Sequence, residues 1–82
     1  MMLDVITPEK KLFSGEVELV KVPGTNGSFE MLNNHAPIVS SLAEGEIKII
    51  PVNGETIYFN ISGGLVELSD NYISILVESV LD

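Results

Sequence analysis

Apolar and polar residues alternate with a period of two over many short stretches of the chain. Ile57, Phe59 and Ile61 fall on one side of such a stretch, and Val17 and Leu19 fall on one side of another. Because successive side chains of a β-strand point to opposite faces, this period is typical of half-buried strands. The stretches with strand character are 2–6, 16–22, 28–32, 38–42, 46–52, 55–61, 65–68 and 72–78.

Residues that favour turns separate these stretches. Asn53-Gly54 lies between two alternating runs, and both residue types tolerate a positive φ, so we predict a tight hairpin there. Ser69-Asp70-Asn71 predicts a second hairpin tip, and residues 23–27 predict a wider loop. Ser62-Gly63-Gly64 interrupts an apolar stretch, which indicates a bend or bulge where two backbones come close.

The segment from Thr7 to Phe13 is the one place where the pattern allows a helix, with Thr7 as its cap and Pro8 in its first turn. Such a helix would have no more than about one and a half turns, and a turn that leads into a strand fits the segment better. Many short strands separated by turns indicate a β-sandwich or a barrel. We therefore predict a single all-β domain over residues 1–82, a β-sandwich or flattened barrel of short antiparallel strands.

The composition narrows the possible functions. The chain of 82 residues has a net charge of −8, with only four lysines, so it lacks the basic patch that nucleic acids or anionic membranes require. It has no cysteine, which excludes disulfides and thiolate metal sites. The longest apolar run has three residues, and the first residues lack the pattern of a signal peptide. We expect a cytosolic protein or a domain on the cytosolic side of a larger assembly.

The only histidine, His35, lies in the stretch NNHAPIV at residues 33–39 and could be a catalytic base, a metal ligand or part of a shaped loop. No second histidine and no acidic calcium loop accompanies it, and no serine lies in a nucleophile-elbow motif. A Ser–His–Asp arrangement stays open, because such triads are recognised by geometry. Pro37 holds Ala36 in an extended conformation, which favours the shaped loop, so we predict no catalytic residue, no metal and no cofactor.

A series of short motifs runs along the whole chain. Each motif is weak alone, but their order and spacing are specific. In order they are Leu3-Asp4-Val5, Leu12-Phe13-Ser14-Gly15, Gly24 to Gly27 with Phe29 and Leu32, His35-Ala36-Pro37, Gly45 with Ile47 and Ile49, and Ser62-Gly63-Gly64 with Glu67. Together they resemble the N-terminal domain of the epsilon subunit of F-type ATP synthases.

The resemblance implies a ten-stranded β-sandwich at the foot of a rotating central stalk. In that family the domain binds the gamma subunit and the membrane-embedded c-ring, and it couples proton or sodium flow to ATP synthesis or hydrolysis without catalytic residues of its own. We therefore expect a rotor subunit that is peripheral to the cytoplasmic face of the bacterial inner membrane. Neither insertion into the membrane nor nucleic-acid binding is expected.

The chain departs from the family pattern at two points. Full-length members continue into a C-terminal helical hairpin of roughly 45–50 residues, whereas this chain stops at Asp82. The hairpin carries autoinhibition and, in some members, ATP binding, so we expect neither in this chain. The family also has a glycine before its His-Ala-Pro motif, where this chain has Asn34, the residue type that best tolerates a positive φ after glycine.

Motif matches also predict the residues that meet partners. Phe29 and Met31 should face the core. For Glu30, contact with a basic c-subunit loop and simple exposure to solvent on a strand are equally favoured interpretations. Residues 7–9 and 38–41 match positions near gamma. The predicted contact residues are Ser28, Glu30, Asn33, Asn34, His35, Ala36, Pro37, Ser40, Thr7, Pro8 and Glu9. The predicted structural residues are Gly15, Gly27, Gly45, Asn53, Gly54, Gly63 and Gly64.

A free-standing β-sandwich module that binds a peptide or a carbohydrate is the main alternative. Such modules usually expose aromatic platforms, whereas this chain has no tryptophan and only two tyrosines, Tyr58 and Tyr72. A small hydrolase or a metalloenzyme ranks third, because the sequence shows no set of catalytic or metal-binding residues that would accompany His35.

Overall fold

In the computed structural model, which describes residues 1–81, the chain folds into nine β-strands without a helix. The all-β prediction is confirmed. The strands are β1 (Met2–Ile6), β2 (Lys11–Gly24), β3 (Gly27–Leu32), β4 (Ile38–Leu42), β5 (Gly45–Pro51), β6 (Ile57–Ile61), β7 (Gly64–Ser69), β8 (Tyr72–Val77) and β9 (Val80–Leu81).

The strands form two layers that join at β2. The first layer contains β1, β8, β7 and β4 with the N-terminal half of β2, and the second contains the C-terminal half of β2 with β3, β5, β6 and β9. β1 pairs with both β8 and β2, and Leu42 of β4 pairs with Gly24 at the end of β2, so the first layer is joined to β2 at both of its edges. The molecule measures 28 × 26 × 19 Å, a flattened barrel. The β1–β8 pair is parallel, and all other pairs are antiparallel as predicted.

β2 is much longer than the stretch 16–22 that the alternation predicts. Its first half pairs with β1 and its second half with β5, and counting the halves separately turns nine strands into the ten that the resemblance implies. The pairing with β5 shifts between Val17 and Leu19, where Glu18 is an extra residue. This bulge reverses the phase of the side chains. Val17 is therefore buried together with Val20, and Leu19 is only half-buried, which corrects the expected grouping of Val17 with Leu19.

Of the two predicted hairpin turns, the β7–β8 turn is found as predicted and the β5–β6 turn is not. Asp70 and Asn71 have φ of 52° and 62°, so the β7–β8 turn is the two-residue type whose twist matches the strands. The predicted tight turn at Asn53-Gly54 is wrong, because only Gly54 has a positive φ and the β5–β6 loop covers residues 52–56. The Val52 N–H donates to the Glu16 carbonyl at 3.2 Å, so the chain follows β2 before it turns.

The connections on either side of β2 are both tight. Residues 7–10 form a turn that leads directly into β2, as favoured over the helix. The β2–β3 connection is tighter than the wide loop predicted for residues 23–27, because Gly24 pairs with Gly27 and only Thr25 and Asn26 lie between them.

The core lies between the two layers and is entirely apolar. Phe29 packs against it and Met31 is fully buried, as predicted. Among residues 1–81, no polar or charged side chain is buried. The fully buried side chains include Leu3, Val5, Val20, Val22, Ile47, Ile49, Ile61, Val66, Ile73 and Ile75.

Most of the glycines predicted to be structural have a visible reason to be glycine. Gly27 and Gly54 have φ of 124° and 139° in turns. A Cβ on Gly45 would lie 2.7 Å from the Pro23 side chain, and a Cβ on Gly64 would overlap the Leu76 carbonyl oxygen of the neighbouring strand. A Cβ on Gly63 would lie 3.3 Å from the Leu42 carbonyl oxygen, so Ser62-Gly63-Gly64 is a place where backbones come close. Gly15 is the exception, since a Cβ there would meet only ordinary contact distances.

Candidate partner-binding surfaces

The loop after β3 is held by hydrogen bonds from two other parts of the chain. The Asn71 side-chain amide donates to Asn33 Oδ1 at 2.8 Å, and Asn71 Oδ1 accepts from the Asn34 N–H at 2.9 Å. The Met1 amino group also donates to Asn33 Oδ1, at 3.3 Å. Asn34 has φ of 64°, so it takes the left-handed conformation that the sequence predicts at this position. The exposed loop therefore has a defined shape before any partner binds.

His35 is half-buried in this loop, and its hydrogen bonds are local. Its backbone N–H donates to the Leu32 carbonyl at 3.1 Å, and its ring Nδ1 lies 2.7 Å from the Ala36 carbonyl oxygen. A carbonyl oxygen can only accept, so Nδ1 carries the proton and Nε2 of the neutral ring is left as an acceptor. Ala36 and Pro37 beside it are exposed. The ring thus fits the shaped-loop interpretation and offers an acceptor to a neighbouring protein.

The turn after β1 carries the second group of predicted contact residues. Thr7 Oγ1 accepts from the N–H groups of Glu9 and Lys10 at 3.3 and 3.1 Å, which fixes the turn and leaves Pro8 and Glu9 exposed. The loop after β3 lies beside Met2 at the other end of β1. Four strand rises of about 3.3 Å each separate the two ends by about 13 Å. The structure therefore places the two groups at opposite ends of one strand rather than in one site.

Three apolar side chains form a row on the outer face of the first layer, and we call Ile6, Leu76 and Leu65 the outer apolar row. They are direct cross-strand neighbours on β1, β8 and β7. Leu76 and Leu65 are 48% and 40% exposed, although their strands bury the alternate positions. With Thr7, Pro8, Gly64, Val77 and Glu78, the row lines an open groove of about 520 Å³. An apolar surface of this kind is where a partner gains most from excluding water.

Sequence reasoning missed this row, although a signal for it is present. In β8, Tyr72 and Ser74 mark the outward phase, and Leu76 continues that phase as an apolar residue. In β4 the predicted contact Ser40 is half-buried and points inward. The residue before it, Val39, points outward and is 66% exposed. Val39 is the cross-strand neighbour of Glu67, which lies two residues after Leu65 on β7. Val39 is therefore diagonal to Leu65 and extends the apolar surface.

The other predicted contact residues lie on the second layer. Ser28 and Glu30 are exposed on β3, and Glu30 is the cross-strand neighbour of Lys21, which in turn pairs with Lys48. Ser28 is at the β2–β3 turn, in an open cavity with both lysines and Tyr58. It therefore lies at the far end of β3 from Asn33, and the predicted contact residues between Ser28 and Pro37 do not form one compact patch.

The two tyrosines bear on the alternative of a carbohydrate- or peptide-binding module. Tyr58 pairs with Lys48 on the second layer, whereas Tyr72 pairs with Met2 on the first. They do not form one aromatic platform. The Tyr72 hydroxyl donates to the Asp4 carboxylate, and Ser14 Oγ donates to the same carboxylate at 2.6 Å.

This polar network makes the Asp4–Tyr72 contact sensitive to pH. The Ser14 and Tyr72 hydroxyls hold the pKa of Asp4 below its ordinary value. Loss of water around the carboxylate opposes this effect, and the Lys11 ammonium adds to it. The Asp4 carboxylate raises the pKa of Tyr72. The stability from Asp4 is present above its unfolded pKa and is lost as pH falls through the lower folded pKa. The stability from Tyr72 is present below its unfolded pKa and is lost as pH rises through the raised one.

We expect the Asp4 carboxyl carbon to titrate by NMR with a pKa below the ordinary value of an aspartate. Asp4→Asn should make stability fall less steeply below about pH 4. In the control variant Tyr72→Phe, which removes one donor, the pKa of Asp4 should rise towards its ordinary value. An Asp4 titration that is ordinary in the wild type would contradict the network.

Residues 1–81 contain no group of three or more His, Asp and Glu side chains placed to hold a metal ion. No helix of the described chain is long and apolar enough to cross a membrane.

Comparison with known proteins identifies the family. The family model described as "ATP synthase, Delta/Epsilon chain, beta-sandwich domain" matches residues 1–82. The chain belongs to this family. The resemblance to the ATP synthase epsilon subunit that the motifs indicate is thereby confirmed.

Relatives within the family are similar along nearly the whole chain. The ATP synthase epsilon chain of Chlorobaculum tepidum is 40% identical over 78 residues, which cover 95% of this chain and 89% of the relative. The ATP synthase epsilon chain of Leptospira interrogans is 44% identical over 79 residues, which cover 95% of this chain but only 61% of the relative. Family members thus differ in how far they extend beyond the part that this chain matches.

Solved structures share the fold at lower identity. A chain in the structure of the central stalk and c-ring of the Tetrahymena thermophila mitochondrial ATP synthase superposes with a TM-score of 0.85 at 24% identity, over 100% of this chain and 66% of that one. A chain of the Euglena gracilis mitochondrial ATP synthase superposes with a TM-score of 0.90 at 20% identity, over 99% of this chain and 52% of that one. At these identities the family fold is what is shared.

Proposed function

We propose that this member of the family is a non-catalytic subunit of the ATP synthase central stalk, which binds the gamma subunit and the c-ring and couples ion flow to ATP synthesis or hydrolysis. The observation that carries the proposal is the uncovered outer apolar row beside the Thr7–Glu9 turn, the segment that matches family positions near gamma. The subunit would act at the cytoplasmic face of the bacterial inner membrane, held there by its partners.

The gamma subunit is the proposed occupant of the outer face of the first layer. Pro8, Leu65, Leu76 and Val39 present apolar surface there, and the turn that carries Pro8 is already fixed by Thr7. Covering this surface releases water without a large cost in backbone order. Ser40 remains a proposed contact through the strand that it shares with Val39.

Mixing the chain with the gamma subunit tests this function. A partner that binds only the folded state stabilises it, by about 2.7 kcal/mol at a hundredfold excess over Kd. For a domain of this size that corresponds to a rise in Tm of about 10 °C or more. Calorimetry of the chain with and without gamma measures the rise, and co-purification provides a second readout. An unchanged Tm and no co-purification would refute the proposal.

The c-ring is the proposed partner of the loop after β3, with Asn33, Asn34, His35, Ala36 and Pro37, and of the outward side chains of β3. Hydrogen bonds to Asn71 shape the loop. The Glu30 carboxylate is not salt-bridged within the described residues, where the two salt bridges join Met1 to Glu16 and Lys11 to Asp4. An unpaired carboxylate can meet a cation of a ring loop without first breaking another pair.

We expect Glu30→Lys to weaken binding to isolated c-rings roughly tenfold at low salt, with a smaller difference at high salt because salt screens the repulsion. Glu55→Lys makes the same change of charge in the β5–β6 loop and should bind normally. Binding of both variants and the wild type can be compared by sedimentation with detergent-solubilised rings. Equal binding of Glu30→Lys at low salt would remove Glu30 from the contact.

A further inference from the structure

Two carboxylates flank the outer apolar row. Glu67 lies two residues after Leu65 on the same face of β7, and its cross-strand neighbours are Ser74 and Val39. Glu78 lines the groove itself. Neither is salt-bridged among residues 1–81, and Glu78 has only a weak contact with the Ser62 hydroxyl at 3.5 Å. Asp4 lies in the same cross-strand row as Glu67, but its negative charge is balanced by the Lys11 ammonium at 3.9 Å. The groove is therefore apolar along its centre, with Glu67 on one flank and Glu78 on the other, and Lys11 lies at the β1 end of the row as the cross-strand neighbour of Ile6.

The strands beneath the groove limit how a partner can bind there. β8 lies between β1 and β7, and β7 lies between β8 and β4, so these strands already have neighbours on both sides. A partner strand therefore cannot add to the sheet at this place. The partner must be recognised through its side chains, by the row and the two carboxylates.

The spacing of the row matches the pitch of an α-helix. Neighbouring strands lie about 4.8 Å apart, and successive turns of a helix lie about 5.4 Å apart. A helix that runs across the strands can thus place one side chain over each of Leu65, Leu76 and Ile6, from its positions i, i+3 or i+4, and i+7. The flanks of the same helix then face Glu67 on one side and Glu78 on the other.

We propose that the outer apolar row receives an amphipathic α-helix of the stalk partner, whose apolar stripe covers the row and whose lysine or arginine side chains meet Glu67 and Glu78. This inference rests on the proposed function and adds the chemistry of the contact. The cations are required because two carboxylates covered by a neutral partner would lose their water without gaining a counter-charge.

Charge reversal on the flanks tests the inference with the gamma subunit as the probe. Glu67→Lys and Glu78→Lys should each weaken binding roughly tenfold at low salt, and the difference should shrink as salt is added. Glu46→Lys is the matched control, because Glu46 is also an exposed glutamate on the outer face of a strand, in the second layer. Its affinity should stay within about twofold of the wild type.

A zero-length carbodiimide cross-link then locates the partner segment, since it joins a carboxylate to a lysine in direct contact. Cross-links from Glu67 or Glu78 to lysines on a gamma helix support the inference. Cross-links confined to strands or loops of gamma overturn it, as does wild-type affinity of both charge-reversal variants at low salt. If the wild type itself does not bind gamma, the proposed function fails instead.

Discussion

Gly64→Ala is expected to lower the free energy of unfolding by about 3 kcal/mol, at the upper end of the cost of overpacking. A methyl group on Gly64 would overlap the Leu76 carbonyl oxygen and come within 3.3 Å of the Val77 Cα. These are backbone atoms of the paired strand β8, so no rotation of a side chain can relieve the overlap. The two strands must separate, and the core residues between them lose contact.

Thermal unfolding followed by circular dichroism measures this effect. For a domain of this size, about 3 kcal/mol corresponds to a fall in Tm of roughly 12–24 °C. Gly15→Ala is the matched control, because its new methyl group would meet the Phe13 ring at 3.5 Å, an ordinary contact distance. That variant should melt within a few degrees of the wild type. A Gly64→Ala variant as stable as Gly15→Ala would show that β7 and β8 are farther apart than the structure places them.

The second large effect is expected at the outer apolar row, where Leu76→Asp should reduce affinity for the gamma subunit by at least about a hundredfold. Leu76 is the central side chain of the row, with Ile6 and Leu65 on either side. An aspartate there would be buried under the apolar stripe of the partner, with the Glu67 carboxylate diagonally across on β7. The fold itself should persist, because Leu76 is 48% exposed before any partner binds.

Titration calorimetry against gamma compares the variant with a control of equal exposure. Val52 is also 48% exposed but lies in the β5–β6 loop, away from the row, so Val52→Asp should bind as the wild type does. A reversed outcome, in which Val52→Asp loses affinity and Leu76→Asp keeps it, would move the gamma contact to the other end of the molecule.

Local patterns in the sequence predict much of the fold, because alternation and turn residues act over a few positions. The hairpin at Asp70-Asn71 and the left-handed Asn34 are of this kind. Asn53-Gly54 has the stronger turn signal, yet the loop there is wide, because Val52 bonds to Glu16 on a strand far away in sequence. The bulge at Glu18 and the parallel β1–β8 pair also depend on distant partners, and no local pattern encodes them.

The same reason explains what sequence could predict of the candidate site. The loop around His35 is contiguous, so its motif points directly to it. The outer apolar row takes one residue from each of three strands, and Ile6 and Leu65 become neighbours of Leu76 only through the order of the strands. Its sequence signal, an apolar residue in the outward phase, gains meaning only once the register is known.

The pairing of β1 with β8 has a consequence for the synthesis of the protein. Of the nine described strands, β1 leaves the ribosome first, and its parallel neighbour β8 ends only at Val77, after the six strands β2 to β7. Contacts between ends so far apart form slowly, because the intervening chain loses entropy before they can stabilise it. A nascent chain that stops short of Val77 cannot close the first layer and keeps β1 and β7 as open edges. We therefore expect the domain to acquire its structure in one late step, when β8 has cleared the exit tunnel, rather than strand by strand.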